Sequence, residues 1–207
     1  QLAAFNRDGF LIERGLVPPE YVHQVLSVTQ RDSEAFLGDI EYEADVQYPG
    51  APRSLTDEGG RTIRRLWQAF SRDPVFTKLV KEPFLLKRLQ QLLGPEVVMP
   101  LAHHNCVMTK RPQFSSDTGW HRDIRYWSFE TPELISVWIA LGDENSDNGC
   151  LRLIPGSHVL QLDIDQLDAN RFLRTDFDGN VALLESSVEA QLSAGDVLFF
   201  HANCFHS

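Results

Sequence analysis

Trp120-His121-Arg122-Asp123 is the stretch around which the chain is read, because it sets an imidazole and a carboxylate two residues apart. In extended backbone alternate side chains share a face, so His121 and Asp123 point the same way, close enough for one cation to hold both. A third ligand must come from elsewhere, and the best candidate is His206, 83 residues after Asp123 and beyond what reads as an excursion of strands. Two histidines and one carboxylate that leave coordination positions open form the ligand set of non-haem Fe(II) oxygenases. His201 competes for the third place, and at five residues from His206 it would lie on the opposite face of a regular strand.

Outward from this stretch the texture is that of short strands. Val97 to Lys110, Leu134 to Leu141, Cys150 to Ile154 and Val188 to Phe205 carry β-branched, aromatic and alternating residues. Asn145 to Gly149, Pro155-Gly156-Ser157 and Gly195-Asp196 separate them as turns. His158 to Ser187 interrupts the series with an acidic, weakly patterned insert. It lacks the ligand alternation, glycine and terminal glutamate of a calcium loop, so it reads as a solvated surface segment.

Toward the N-terminus the pattern becomes helical. Gly9 and Gly15 bracket a short strand at Phe10, Leu11 and Ile12, and Pro18-Pro19 then opens a helix through Val22, Val25, Leu26 and Thr29. Asp73 caps a helix with Pro74 in its first turn. Pro83 starts another, which Gly94-Pro95 ends. From Gly38 to Gly60 no periodicity survives, which predicts a long irregular segment, either a lid over a site or a plain solvated loop.

Helices mostly in 1–95 followed by strands mostly in 96–207 predict one domain over 1–207, mainly β, as a double-stranded β-helix (jelly roll, cupin-like) with packed N-terminal helices. The composition, 43% apolar and 23% charged, is that of an ordinary globular protein. A net charge of −10 argues against nucleic-acid binding and gives no support for an anionic membrane surface, which leaves a small molecule as the expected partner. Cys106, Cys150 and Cys204 are odd in number and widely spaced, so they read as buried thiols of a reducing compartment. With no apolar run of spanning length and no secretory pattern at the start, a cytoplasmic location is expected.

Asp8-Gly9-Phe10, Gly119 to Asp123, Val137-Trp138-Ile139-Ala140-Leu141, Asp147 to Leu151, Leu153 to His158, Gly195 to His201 and Phe205-His206 occur in one order. That ordered set resembles the phytanoyl-CoA dioxygenase family, ectoine hydroxylase-like members included, over nearly the whole chain. The resemblance implies an Fe(II)- and 2-oxoglutarate-dependent dioxygenase that hydroxylates an aliphatic C–H with O2 and releases succinate and CO2. It implies His121, Asp123 and His206 as metal ligands and catalytic centre, since the family's last ligand lies ten residues after the position of Asp196. His201, like His23 and His158, is then expected to be structural. Asn105, Thr109 and Trp138 match positions near the cosubstrate, with core packing as the competing role, and Trp127 matches an aromatic of the substrate pocket, while Tyr126 and Phe129 could equally be core.

The family's arginine for the far carboxylate of 2-oxoglutarate follows the last metal ligand, and this sequence ends at Ser207. A fragment lacking the final strand is the preferred explanation, because a barrel ending there leaves a strand edge open. Substitution by Lys110 or Arg125 is the other. The competing functional class is a cupin-like module that binds metal without oxygenase activity. A local basic patch of Lys110, Arg111, Arg122 and Arg125 keeps a CoA thioester among the possible substrates.

Overall fold

A computed structural model describes residues 1–46, 48–102, 104–111 and 113–207. Among them the helices are α1 (Leu2–Asp8), α2 (Pro19–Glu34), α3 (Ala69–Arg72), α4 (Pro74–Val80), α5 (Pro83–Leu93) and α6 (Val181–Glu185). The strands are β1 (Phe10–Glu13), β2 (Ile40–Tyr42), β3 (Ile63–Trp67), β4 (Cys106–Met108), β5 (Ile135–Ile139), β6 (Arg152–Leu153), β7 (Val188–Glu189) and β8 (Val197–His201). With about 34% of residues helical and 17% in strand, "mainly β" overstates the sheet content. Two compact units form: Gln1–Gly15 with Thr118–Ser207, and Leu16–Asp117.

In the first unit β8 is the middle strand of an antiparallel sheet, ordered β1-β8-β5. Its run Val-Leu-Phe-Phe is apolar at every position because both of its faces are covered, with Val197, Leu198 and Phe199 each 0% exposed. Register puts Phe10 and Ser136 opposite Phe200, and Ile12 and Trp138 opposite Leu198, so these residues share one face. That face packs on Ala140, Leu153, Ala190, Leu192 and Cys204. A narrower ladder is built from β6 with β7 and from single bridges of His206 to His121 and to Leu153. Gly9, in the left-handed region at φ 81°, caps α1 and turns the chain into β1; a side chain there would meet the His158 ring at 2.4 Å.

The second unit holds the antiparallel sheet β2-β3-β4 and four helices. α2 buries Tyr21, Val22, Val25 and Val28, while Leu26 stays 39% exposed. The predicted cap of α4 forms, the Asp73 carboxylate accepting from Val75 N–H at 3.0 Å, and Gly94 at φ 98° ends α5. The Gly38–Gly60 segment is more ordered than its composition suggests. It contributes β2 and a 3-10 turn at Glu43–Asp45, and the buried Arg64 pairs with Glu41 at 2.6 Å. The long strand expected over Val97 to Lys110 shrinks to β4, and Val98 is 85% exposed. β-propensity alone does not make a strand where no neighbouring strand supplies a ladder. Cys106 is only partly buried; Cys150 and Cys204 are buried thiols. Among the described residues no helix is long and apolar enough to cross a membrane.

Candidate metal centre

Trp120 anchors the decisive stretch, packed with Ile154, Leu173 and Phe205. The next residue, His121, faces His206 directly: its N–H donates to the His206 carbonyl at 2.9 Å, and its carbonyl accepts from the His206 N–H at 3.0 Å. Arg122 is extended, so Asp123 returns to the side of His121, and the chain then tightens into a 3-10 turn over Asp123–Tyr126. Asp123 Oδ1 lies 3.5 Å from His206 Nε2 and 3.8 Å from His121 Nε2. One ligand atom from each residue lies within 4.8 Å of the others, and the three side chains are buried. His201 is not in this group.

The donor set fits a divalent transition metal. His121 Nδ1 donates to the Gly119 carbonyl at 2.8 Å and His206 Nδ1 to the Cys204 carbonyl at 3.0 Å. A carbonyl accepts only from a protonated nitrogen, so each ring directs its other nitrogen, Nε2, toward Asp123. Burial, and then the charge of His206, pull His121 down to about 3. Burial opposes the charge on His206 too, but the Asp123 charge and hydrogen bond outweigh it, so its pKa is raised. Of the two rings, His206 therefore has the higher affinity for a proton.

Ser136 is the member that sequence reasoning missed. Its hydroxyl donates to Asp123 Oδ2 at 2.6 Å, which leaves Oδ1 turned to the two histidines. The available signal was a lone serine within the apolar run Leu134 to Leu141. Ser136→Ala should weaken metal binding by about 10-fold or more while leaving the fold intact. Metal titration beside circular dichroism checks this, and unchanged affinity would remove Ser136 from the centre.

Trp138 lies on the face that carries Ser136 and donates its indole N–H to the Glu144 carboxylate at 2.9 Å. Trp127 is half-buried just after the Asp123–Tyr126 turn, edge-on to Phe129. Tyr126 and Phe129 are 46% and 45% exposed, so neither is core. Asn105 and Thr109 flank β4 in the other unit, where both are engaged. The Asn105 amide accepts from Phe70 N–H at 3.1 Å, and the Thr109 hydroxyl donates to the Ile63 carbonyl. Arg122 and Arg125 are not free members of a basic patch: Arg122 turns inward onto Phe205, and Arg125 stacks on Phe172.

The acidic insert lies mostly at the surface, as expected, but it is tied to the core at Leu173 and Asn180. Asn180, 0% exposed, donates to the Gln166 and Arg174 carbonyls and accepts from the Gln166 amide. Leu173 N–H donates to the Trp120 carbonyl at 2.8 Å. An Asp168 side chain that accepts from Asn170 and Phe172 N–H groups shapes a turn that sets the Phe172 ring 5.8 Å from that of His121. Phe172 is a wall of the centre that composition concealed, and Gly119 leaves room for it.

His201 stands 5.5 Å from His158, and its Nδ1 accepts from Asn203 N–H. Burial, then the charges of His158 and Arg122, pull it down to about 4. The folded state thus favours neutral His201, and this contribution is full above about pH 6.5 and lost as pH falls toward 4. His201→Gln should flatten the metal-free protein's loss of stability across that window, as read by urea unfolding at several pH values. An unchanged pH profile would refute the assignment.

Comparison with known proteins finds relatives named as dioxygenases. The family model described as phytanoyl-CoA dioxygenase matches residues 5–207. The ectoine dioxygenase of Streptomyces coelicolor is 29% identical over 226 residues, spanning 99% of this chain and 70% of that protein. Of several further ectoine dioxygenases the chain spans only about half the length. The structure of EctD from S. alaskensis with 2-oxoglutarate and 5-hydroxyectoine superposes with a TM-score of 0.76 at 22% identity, over 100% of this chain and 68% of that one. The epimerase SnoN, in complex with Fe3+, alpha ketoglutarate and nogalamycin RO, gives 0.71 at 20% identity, over 99% and 74%. These superpositions agree with the jelly-roll expectation.

Proposed function

The chain belongs to the phytanoyl-CoA dioxygenase family, and on that premise we propose that it is a cytoplasmic non-haem Fe(II)- and 2-oxoglutarate-dependent dioxygenase. Its reaction is hydroxylation of an aliphatic C–H bond of a small molecule, with release of succinate and CO2. The observation that carries this reading is the buried convergence of His121, Asp123 and His206, whose ligand atoms lie within 4.8 Å of one another.

Fe(II) held there, with 2-oxoglutarate and O2, supplies the oxidising chemistry that no side chain possesses. The protein's part is position. His121 and His206 would bind through Nε2, oriented by the carbonyls behind them, and Asp123 through Oδ1, oriented by Ser136. Retention of a carboxylate ligand favours hydroxylation over halogenation, which needs that place for halide. Phe200, 4.8 Å from the His206 ring, and Phe172 beside His121 keep water from the centre and offer an aliphatic substrate an apolar surface.

Trp138, Asn105 and Thr109 are proposed cosubstrate contacts, and Trp127 a pocket residue. Support for Trp138 is its place on the Ser136 face. For Asn105, Thr109 and Trp127 it is their match to the family's positions alone.

The test is O2-dependent succinate formation from 2-oxoglutarate by protein loaded with Fe(II), with ectoine, the compound in its relatives' names, as the first substrate offered. Succinate should require both iron and O2, and hydroxylated product should accompany it when the substrate is right. Stoichiometric Fe(II) binding with no succinate under any of these conditions would instead establish the metal-binding module.

A further inference from the structure

Arg122 separates His121 from Asp123 in the sequence, and its side chain lies on the side away from theirs. There its guanidinium carbon sits 4.3 Å from the centre of the Phe205 ring. One terminal nitrogen, Nη2, donates to the Ser157 carbonyl at 2.8 Å and the Leu160 carbonyl at 2.9 Å. Ser157, 0% exposed, returns the grip: its hydroxyl accepts from Phe205 N–H at 2.8 Å and lies 3.6 Å from the Cys204 thiol. Phe205 is the residue before His206, and Cys204 supplies the carbonyl that orients the His206 ring.

We propose that Arg122 and Ser157 are positioning residues of the metal centre, a clamp behind Phe205 that keeps His206 Nε2 turned toward Asp123. This rests on the reading of His121, Asp123 and His206 as metal ligands. Between the end of β8 and His206 the chain makes a turn at Ala202–Asn203; His206 then bridges His121 and Leu153 and the Phe205 carbonyl accepts from Ile154 N–H, while the Phe205 N–H is held by the Ser157 side chain and not by a strand. The clamp fixes Phe205 at two points, Arg122 against its ring and Ser157 on its backbone N–H. A planar guanidinium can stack on Phe205 and reach two carbonyls at once, whereas an ammonium cannot do both. It also gives a physical reason why arginine stands between the ligands and serine follows Pro155-Gly156.

Metal-free R122K and S157A, titrated with Co(II) and followed by its visible absorption, test the clamp, with circular dichroism confirming that each is folded at the titration temperature. Both should bind Co(II) about 10- to 100-fold more weakly than the wild type and shift the Co(II) band envelope, because His206 is no longer held in place. A purely structural role would lower the melting temperature and leave the affinity and spectrum of the folded protein unchanged. Binding within about twofold of wild type by both variants overturns the proposal. Should R122K not fold, S157A, which loses one hydroxyl, decides by the same criterion. Wild-type protein that takes up no Co(II) would instead overturn the metal reading on which the clamp rests.

Discussion

Asp123→Ala is expected to abolish turnover and to weaken metal binding by more than about 100-fold, a larger effect than loss of any residue behind the ligands. Asp123 is 1% exposed and its Oδ1 lies within 3.8 Å of both imidazole Nε2 atoms, so it supplies the negative charge of an otherwise neutral donor set. Without it, two neutral imidazoles on a directly bridged pair remain, and a buried divalent cation has no compensating charge. Asp123→Asn separates charge from shape. It keeps the volume and an oxygen for the Ser136 hydroxyl, and it should lose activity nearly as fully. Succinate release and metal content measured on both variants check this; full turnover by Asp123→Ala would refute the ligand assignment.

The second large effect concerns stability. Phe199→Ala should destabilise the protein by about 3–5 kcal/mol, because the ring is fully buried in the middle strand and a cavity replaces it. For a chain of this size that lowers the melting midpoint by roughly 10 °C. Phe199 pairs with Leu11 and Val137, on the face opposite Ser136 and Phe200. Protein that remains folded should therefore bind metal nearly as well as the wild type. Thermal and urea unfolding, with metal titration of the folded variant, separate this outcome from that of Asp123→Ala. A loss below about 1 kcal/mol would contradict the placement of Phe199 in the core.

What could be read from the sequence was local. The Asp73 cap, the Gly94 stop and the period-two spacing of His121 and Asp123 depend on neighbours a few residues away, and each appears in the structure. The convergence of His206 was legible only through the ordered motifs of a family, since nothing in the spacing of 83 residues fixes a contact. Ser136, Ser157 and Phe172 escaped because their roles are set by what packs across from them. Ser136 lies within a run that reads only as a strand, Ser157 within turn punctuation, and Phe172 within a stretch whose acidic composition suggests solvent. The reverse error arose at Val97 to Met99, where strand-forming residues have no strand beside them among the described residues.

We assign the third metal ligand to His206 and not His201, within a centre proposed to take Fe(II) and 2-oxoglutarate together. Anaerobic addition of both to wild type, His201→Gln and His206→Ala, followed by visible absorption, tests it most directly. A metal-to-ligand charge-transfer band is predicted in the wild type and in His201→Gln and is absent from folded His206→Ala. A band that survives in His206→Ala, or that disappears with His201→Gln while the protein stays folded, would contradict the assignment.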